Sequence, residues 1–364
     1  MTDTPRKTER KAGLRQSNAA LWSGIRDLIL EARQSVVRGV NAALVWTNFE
    51  IGRRIVEHEQ GGKARADYAE ETLISLSQKL TAEFGRGYSV DNLELMRKFY
   101  FVYAKSETLS RKSESSTSPA DKKSETLLRI SPMAFQLSWS HYVFLMGIDD
   151  ENERRFYEIE SAQQNWSLRE LRRQFDSSLY ERLALSRDKK KVQDLNKRGQ
   201  VVEKHEDMLK EPYVLEFLGL REDHTYSESE LESAIINKIE HFLLELGKGF
   251  LFEARQKRFT FDDEHYYVDL VFYNRLLRCY VLIDLKIGKL SHQDLGQMQM
   301  YVNYYDRFVK TEDESRTVGI IMCKRKNDSL VEITLPEHSR VFAKKYQLYL
   351  PTKSELKAQL DSKA

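Results

Sequence analysis

Apolar residues at three- and four-residue steps mark the first half of the chain as helical. Leu21, Ile25, Leu28, Ala32 and Val36 form one stripe, and Ala69, Leu73, Leu76, Leu80 and Phe84 form a second. Both patterns predict amphipathic helices. The second stripe stops at Gly85-Arg86-Gly87, where glycine relieves the steric cost of a turn. Ser89 can then cap a helix that carries Val90, Leu93, Met96, Phe99 and Tyr103 inward. Helical signals resume near Ala134. Ser167 and Glu170 have capping-box spacing ahead of a stripe of Leu168, Leu171, Phe175 and Leu179. Residues 14–185 therefore read as an all-α domain containing a helix–turn–helix-like unit.

Two stretches interrupt the periodicity. Residues 105–127 repeat KSET, KSES and KSET around Pro119, bury little, and read as a disordered surface insertion. Residues 186–211 hold few large apolar side chains and read as a charged linker, either solvated or a polar helix, between the domains. Short tails are expected at 1–13, which is basic, and at 353–364.

Beyond Pro212 the pattern changes. A helix over 229–246 precedes strand-like runs at 250–261, 266–273 and 279–287. A helix over 291–308, a strand over 318–323 and another near 346–350 follow. Helix, three strands, helix, strand predicts an α/β domain with a central mixed sheet over 212–352.

Composition alters this picture little. A chain of 364 residues, 41% hydrophobic and 31% charged, suits two packed domains with highly charged surfaces. No run approaches the roughly 20 apolar residues that cross a bilayer, and Met1–Arg15 lacks the apolar core of a signal peptide. A cytoplasmic location and no membrane partner are the expectation. The net charge of +2 leaves a nucleic-acid partner open, because such partners need a local positive groove. Cys279 and Cys323 sit in apolar runs and read as buried hydrophobes. The sequence has no P-loop, Gly-rich dinucleotide fingerprint, nucleophile elbow or HExxH spacing.

Candidate chemistry concentrates in YYVDLVFYN-RLLR-CYVLIDLKIG, residues 266–288. A hairpin with its loop centred between Leu276 and Leu277 sets Asp269 opposite Asp284. Directly opposed residues share a face, with Cβ atoms about 4.5–5.5 Å apart. Lys286 shares that face two residues on. Two carboxylates forced together in an apolar hairpin repel each other, and a hard divalent cation, Mg²⁺ or Mn²⁺, would compensate. An adjacent lysine would handle the attacking water or steady a phosphate, which fits metal-assisted phosphodiester hydrolysis. A solvated strand face, or a one-residue slip that separates the acids, is the competing reading.

Asp269 followed by Asp284-Leu285-Lys286 resembles the PD-(D/E)XK nuclease superfamily, whose core has the element order just described. Glu232 lies in the preceding helix, where many members carry an extra acid. Gln297 and Tyr301 in the following helix resemble the QxxxY element of the RecB-like branch. The runs FLGL, FLLELGKGF, VDLVFY and GQMQMYVNYYD resemble the YhcG family of nuclease-like proteins, in which a helical domain precedes the nuclease-like one. Asp284 stands where that family often has Glu, one methylene shorter. The resemblance implies a restriction-endonuclease-like (αβββαβ) domain with metal ligands Asp269, Asp284 and the Leu285 carbonyl. It also implies Lys286 serving the nucleophilic water, Glu232 acting through a metal-bound water, and Gln297 with Tyr301 orienting substrate or catalytic groups.

For nucleic-acid contact by the helical half, Arg86, Asp91, Asn92, Arg97 and Lys98 flank the turn. Arg169, Arg172 and Arg173 line a later helix opposite its apolar stripe. Dimerisation or a protein partner is an equal expectation for these helices. The leading reading is a metal-dependent nuclease acting on DNA rather than RNA, with the helical half targeting or regulating it. The alternative is a catalytically silent nucleic-acid-binding or protein-interaction module on a nuclease fold.

Overall fold

The computed structural model describes residues 5–61, 66–113, 135–186, 189–221, 226–261, 263–356 and 358. It divides into two compact units, Met1–Asp149 and Asp150–Ala364. Among the described residues, no helix is long and apolar enough to cross a membrane.

The first unit contains α1 (Pro5–Gly61), α2 (Ala66–Phe84), α3 (Val90–Ser113) and α4 (Trp139–Leu145). Its centre is aromatic: Phe49, Phe99, Phe135 and Tyr142 pack with ring centroids 5.2–5.9 Å apart. Gly52 permits the closest approach of α1 to α3, because a Cβ there would lie 2.0 Å from the Met96 carbonyl oxygen. The expected inward stripe of α3 is observed, with Leu93, Met96 and Phe99 buried. The stripe on α1 is not inward: Leu21, Ile25, Leu28 and Val36 are all exposed, and among the described side chains burial begins at Val45. The periodicity fixes the helix, but the described residues supply no surface to cover that part of it. The insertion expected at 105–127 begins on α3, and from residue 114 onward it lies outside the described residues.

The second unit opens with α5 (Glu151–Gln164), α6 (Leu168–Asp176), α7 (Leu179–Leu185) and α8 (Lys189–Arg198). The capping box of Ser167 and Glu170 starts α6, but the predicted stripe through Leu179 runs over two helices. Ser178, at φ 52°, breaks them apart. The expected linker is in part the polar helix α8, and it is only partly solvated, since Leu195, Gln200, Asp207, Met208, Leu209 and Lys210 are buried.

Then come β1 (Tyr213–Val214), α9 (Glu228–Asn237), α10 (Ile239–Leu246), β2 (Phe250–Phe261), β3 (Glu264–Asn274) and β4 (Cys279–Lys289). α11 (His292–Phe308), β5 (Val318–Arg325), α12 (Asp328–Thr334) and β6 (Val341–Gln347) complete the unit. The strands form one mixed sheet in the order β1-β6-β5-β4-β3-β2, antiparallel from β2 to β4 and parallel from β4 to β1. Apolar side chains on its two faces make two cores, one with α9 and α10 and one with α11. This is the restriction-endonuclease-like α/β arrangement, on a unit that also includes helices assigned by sequence to the other domain. Some details differ from expectation: the helix over 229–246 is broken at Lys238, the strand expected near 346–350 lies at Val341–Gln347, and β1 and α12 were not anticipated.

Candidate active site

The β3–β4 hairpin sets the site, and its turn explains the register. Asn274 is fully buried; its side-chain oxygen accepts from the Leu276 and Leu277 amides at 3.0 and 3.1 Å, and its amide donates to the Lys248 carbonyl. That anchors the loop where the sequence centred it. Leu270 pairs with Ile283, Val271 with Leu282 and Asn274 with Cys279. Continuing the ladder by one residue brings Asp269 opposite Asp284. An Asp269 carboxylate oxygen accepts the Leu285 amide at 2.9 Å, which locks the acid across the strand pair.

Asp284 is 2% exposed. Burial, and then the negative charge of Asp269, push its carboxyl up to about 7. Asp269 is also raised by burial, opposed by hydrogen bonds from Leu285 and Gln256. Lys286 Nζ stands 3.7 Å from an Asp284 oxygen and 3.4 Å from Glu228 Oε2. Burial works against its charge, but Asp284, Glu228 and Asp269 outweigh that and hold the ammonium protonated. The pair is thus short of positive charge, and a single lysine does not remove the deficit.

The predicted acid Glu232 is buried on α9 but does not touch the pair directly. Its carboxylate receives Arg255 on one oxygen and the Gln256 amide on the other. Gln256 Nε2 also donates to Asp269 at 3.0 Å, bridging the two acids. Gln256 lies at φ 46°, a left-handed conformation that costs a side-chain-bearing residue roughly 1–3 kcal/mol unless its surroundings hold it. Here the two carboxylates do so. Sequence reasoning missed Arg255, Gln256 and Glu228. Two signals could have found them: polar residues on β2 facing Asp269, and an acid one helical turn before Glu232.

On α11, Gln297 donates to the Tyr301 hydroxyl. Tyr301 is buried in the sheet core, and burial followed by the charges of Asp284 and Asp269 raises its phenol. Its ring therefore packs the core while its hydroxyl accepts from Gln297.

Among the described residues, no three His, Cys, Asp or Glu side chains converge as a metal cluster. What the site offers is two carboxylates and a strand carbonyl at Leu285. That set fits Mg²⁺, which commonly sits on one or two carboxylates with water and phosphate making up the rest. The fit rests on a buried acid pair lacking compensating charge.

Several candidates for nucleic-acid contact are committed elsewhere. Asn92 donates to the Gly87 carbonyl and accepts from Trp139 Nε1, so it braces the turn instead of facing outward. Arg97 pairs with Glu59 at 3.0 Å. Arg173 binds Glu216, Glu245 and the Val214 carbonyl, which makes it an internal tie of the second unit. Arg86, Lys98, Arg169 and Arg172 are exposed.

Comparison with known proteins bears on this site. Residues 206–361 match the YhcG PDDEXK nuclease domain, and residues 24–182 match the DUF1016 N-terminal domain. The Escherichia coli K12 protein named "Putative nuclease YhcG" is 38% identical over 352 residues, spanning 93% of this chain and 92% of that one. The chain belongs to the YhcG family. Two solved structures match part of the chain. A repair endonuclease from Pyrococcus abyssi matches with TM-score 0.25 and 20% identity over 36% of this chain, and an EndoMS–double-stranded DNA complex with 0.26 and 16% over 37%. The matches span about half the length of those two chains. Within the YhcG family's nuclease domain, Asp269, Asp284 and Lys286 occupy the hairpin described above.

The buried acid carries a measurable consequence. In the metal-free protein, the folded state keeps a proton on Asp284 up to about pH 7, whereas an unfolded aspartate ionises near 3.8. Stability from this group is therefore full at low pH and falls as pH rises from about 4 to about 7. Asp284→Asn should stabilise the metal-free protein above pH 7 by about 1–3 kcal/mol. Urea denaturation in chelator at pH 5 and pH 8 measures it. An equal effect at both pH values would contradict the charge argument.

Proposed function

We propose that this YhcG-family chain is a divalent-metal-dependent nuclease that hydrolyses phosphodiester bonds of DNA, with Mg²⁺ or Mn²⁺ as its ion. The observation that supports it most is the hairpin register that presses buried Asp284 against Asp269 beside protonated Lys286. Asp269, Asp284 and the Leu285 carbonyl would hold the ion, which supplies charge neutralisation at the phosphoryl oxygens. Lys286, kept charged by its acidic neighbours, would orient the attacking water or steady a phosphate oxygen. Glu232 acts at one remove, through the Gln256 amide that also grips Asp269. Gln297 and Tyr301 brace the floor of the site. The test is incubation of the full chain with plasmid, linear and single-stranded DNA, and with RNA, in Mg²⁺, Mn²⁺ or chelator. Cleavage that requires metal supports the reading; intact substrates under every condition would sink it.

For the helical half, the exposed stripe on α1 favours assembly over groove reading. A helix with three- and four-residue apolar spacing can cover itself with a second copy about a two-fold axis. Light scattering should then give a mass above that of one chain, and Leu28→Glu with Val36→Glu should lower it. A monomeric native protein would exclude this role.

A further inference from the structure

Past Asp269, β3 keeps β2 as its neighbour but leaves β4: the β3–β4 ladder runs from Leu270 to Asn274, whereas the β2–β3 ladder continues to Phe261 and Glu264. This edge hairpin starts at the acid pair and leads away from it. Its register pairs Arg258 with Tyr267 and Thr260 with His265. Alternate residues on a strand share a face, and directly opposed residues share it too. Arg258 and Tyr267 therefore share one face of this hairpin with Thr260 and His265, about 7 Å and about 14 Å along the strands from the Gln256–Asp269 contact.

The chemistry of this face differs from that of the rest of the sheet. Tyr267 is 45% exposed, and Arg258 and His265 are exposed beside it. The Arg258 guanidinium lies 2.9 and 3.2 Å from the two His265 ring nitrogens and, among the described residues, has no carboxylate partner. That contrasts with Arg255, Arg278 and Arg316, each paired to an acid. Phe259 and Tyr266 turn to the other face and stack on α11, with Phe259 against Tyr304 at 4.1 Å, so the hairpin is held rigidly from behind. Acidic Asp263 and Glu264 end the track at the tip, and Glu264 accepts the Tyr266 hydroxyl.

We infer that this face is a binding track for an unpaired nucleic-acid strand, delivering it to Asp269 and Asp284; the inference rests on the nuclease reading above. Arg258 takes a backbone phosphate, and the exposed ring of Tyr267 stacks on a base. A base within a duplex already has both faces covered, so a ring of this kind selects strands whose bases are unstacked.

Fluorescence anisotropy in chelator, with the full chain, a labelled oligothymidine and a duplex of equal length, tests this. Tyr267→Ala should weaken oligothymidine binding about tenfold while duplex binding changes by less than about twofold. Arg258→Ala should weaken both and lower the salt slope by about one. Tyr267→Phe, which keeps the ring and the fold, should bind oligothymidine as the native protein does. Lys257→Ala, on the opposite face and beside Glu253, should change binding by less than about twofold. Native oligothymidine affinity in Tyr267→Ala, equal losses in Lys257→Ala and Arg258→Ala, or no binding by the native protein would each overturn the track. The two readings fail separately. Track-dependent binding with no cleavage in any metal removes the catalytic proposal alone, and cleavage by a Tyr267→Ala protein of native affinity removes the track alone.

Discussion

Asp284→Ala should reduce metal-dependent DNA cleavage about a thousandfold or more, with Lys286→Ala causing a loss of the same order. Asp284 is buried and beside Lys286, so its removal takes one of two carboxylates from the site and one of the two anions paired with the lysine. Several kcal/mol of transition-state charge stabilisation depend on a bound ion, and each 1.36 kcal/mol is a factor of ten in rate. Residues acting as one unit are not additive, so the double variant should be scarcely worse than either single one. Gel assays of the native protein and the three variants, under single-turnover conditions with Mg²⁺ or Mn²⁺, measure these losses. Melting curves should show that the variants remain folded. Activity surviving in the double variant would move the chemistry away from the hairpin. Asp284→Glu should retain the most activity, because it keeps the carboxylate and changes its reach by one methylene.

Glu245→Ala should destabilise the second unit by about 3–5 kcal/mol, the usual result of breaking a buried ion pair from one side. Glu245 on α10 is fully buried. It receives Arg182 on both carboxylate oxygens, Arg173 at 3.3 Å and the Val214 amide at 3.0 Å. Lys210, itself buried, donates to the Glu245 main-chain carbonyl. Without the carboxylate, buried Arg182 would have no counter-charge, although Ser177 and the Pro212 carbonyl would still accept from it. Burial alone would raise the carboxyl of Glu245, but Arg182, Lys210 and Arg173 together hold it down to about 2. A depressed folded value means the stabilisation is complete above the unfolded glutamate range and disappears as pH falls from about 4.5 toward 2. Urea midpoints of the native and Glu245→Ala proteins should therefore differ widely at pH 7 and converge in acid. A gap that stays constant with pH would show that packing, not charge, holds α6 and α7 to α10. Arg182→Met with Glu245→Leu should recover much of the loss, since apolar replacements of a buried pair are often tolerated.

Features set by neighbouring residues could be determined from the sequence alone. Helices α2, α3 and α6 and strands β2 to β5 follow from periodicity, caps and breakers that act within a few residues. The pairing of Asp269 with Asp284 was legible for the same reason: a short hairpin loop fixes register, and Asn274 pins that loop from inside the motif. Only the tertiary structure decided matters that depend on distant partners. Arg173 looked like a solvent-facing cation until Glu216 and Glu245 enclosed it. Part of the charged run 186–211, Gln200 included, is buried because Glu160 and Lys248 satisfy the Gln200 main chain from far along the chain. The α1 stripe has the spacing of a core but is not covered by the described residues, since amphipathicity specifies a face and not its partner. The bridge made by Gln256 was equally illegible, because it needs a left-handed backbone in an edge strand that two carboxylates from other elements hold in place.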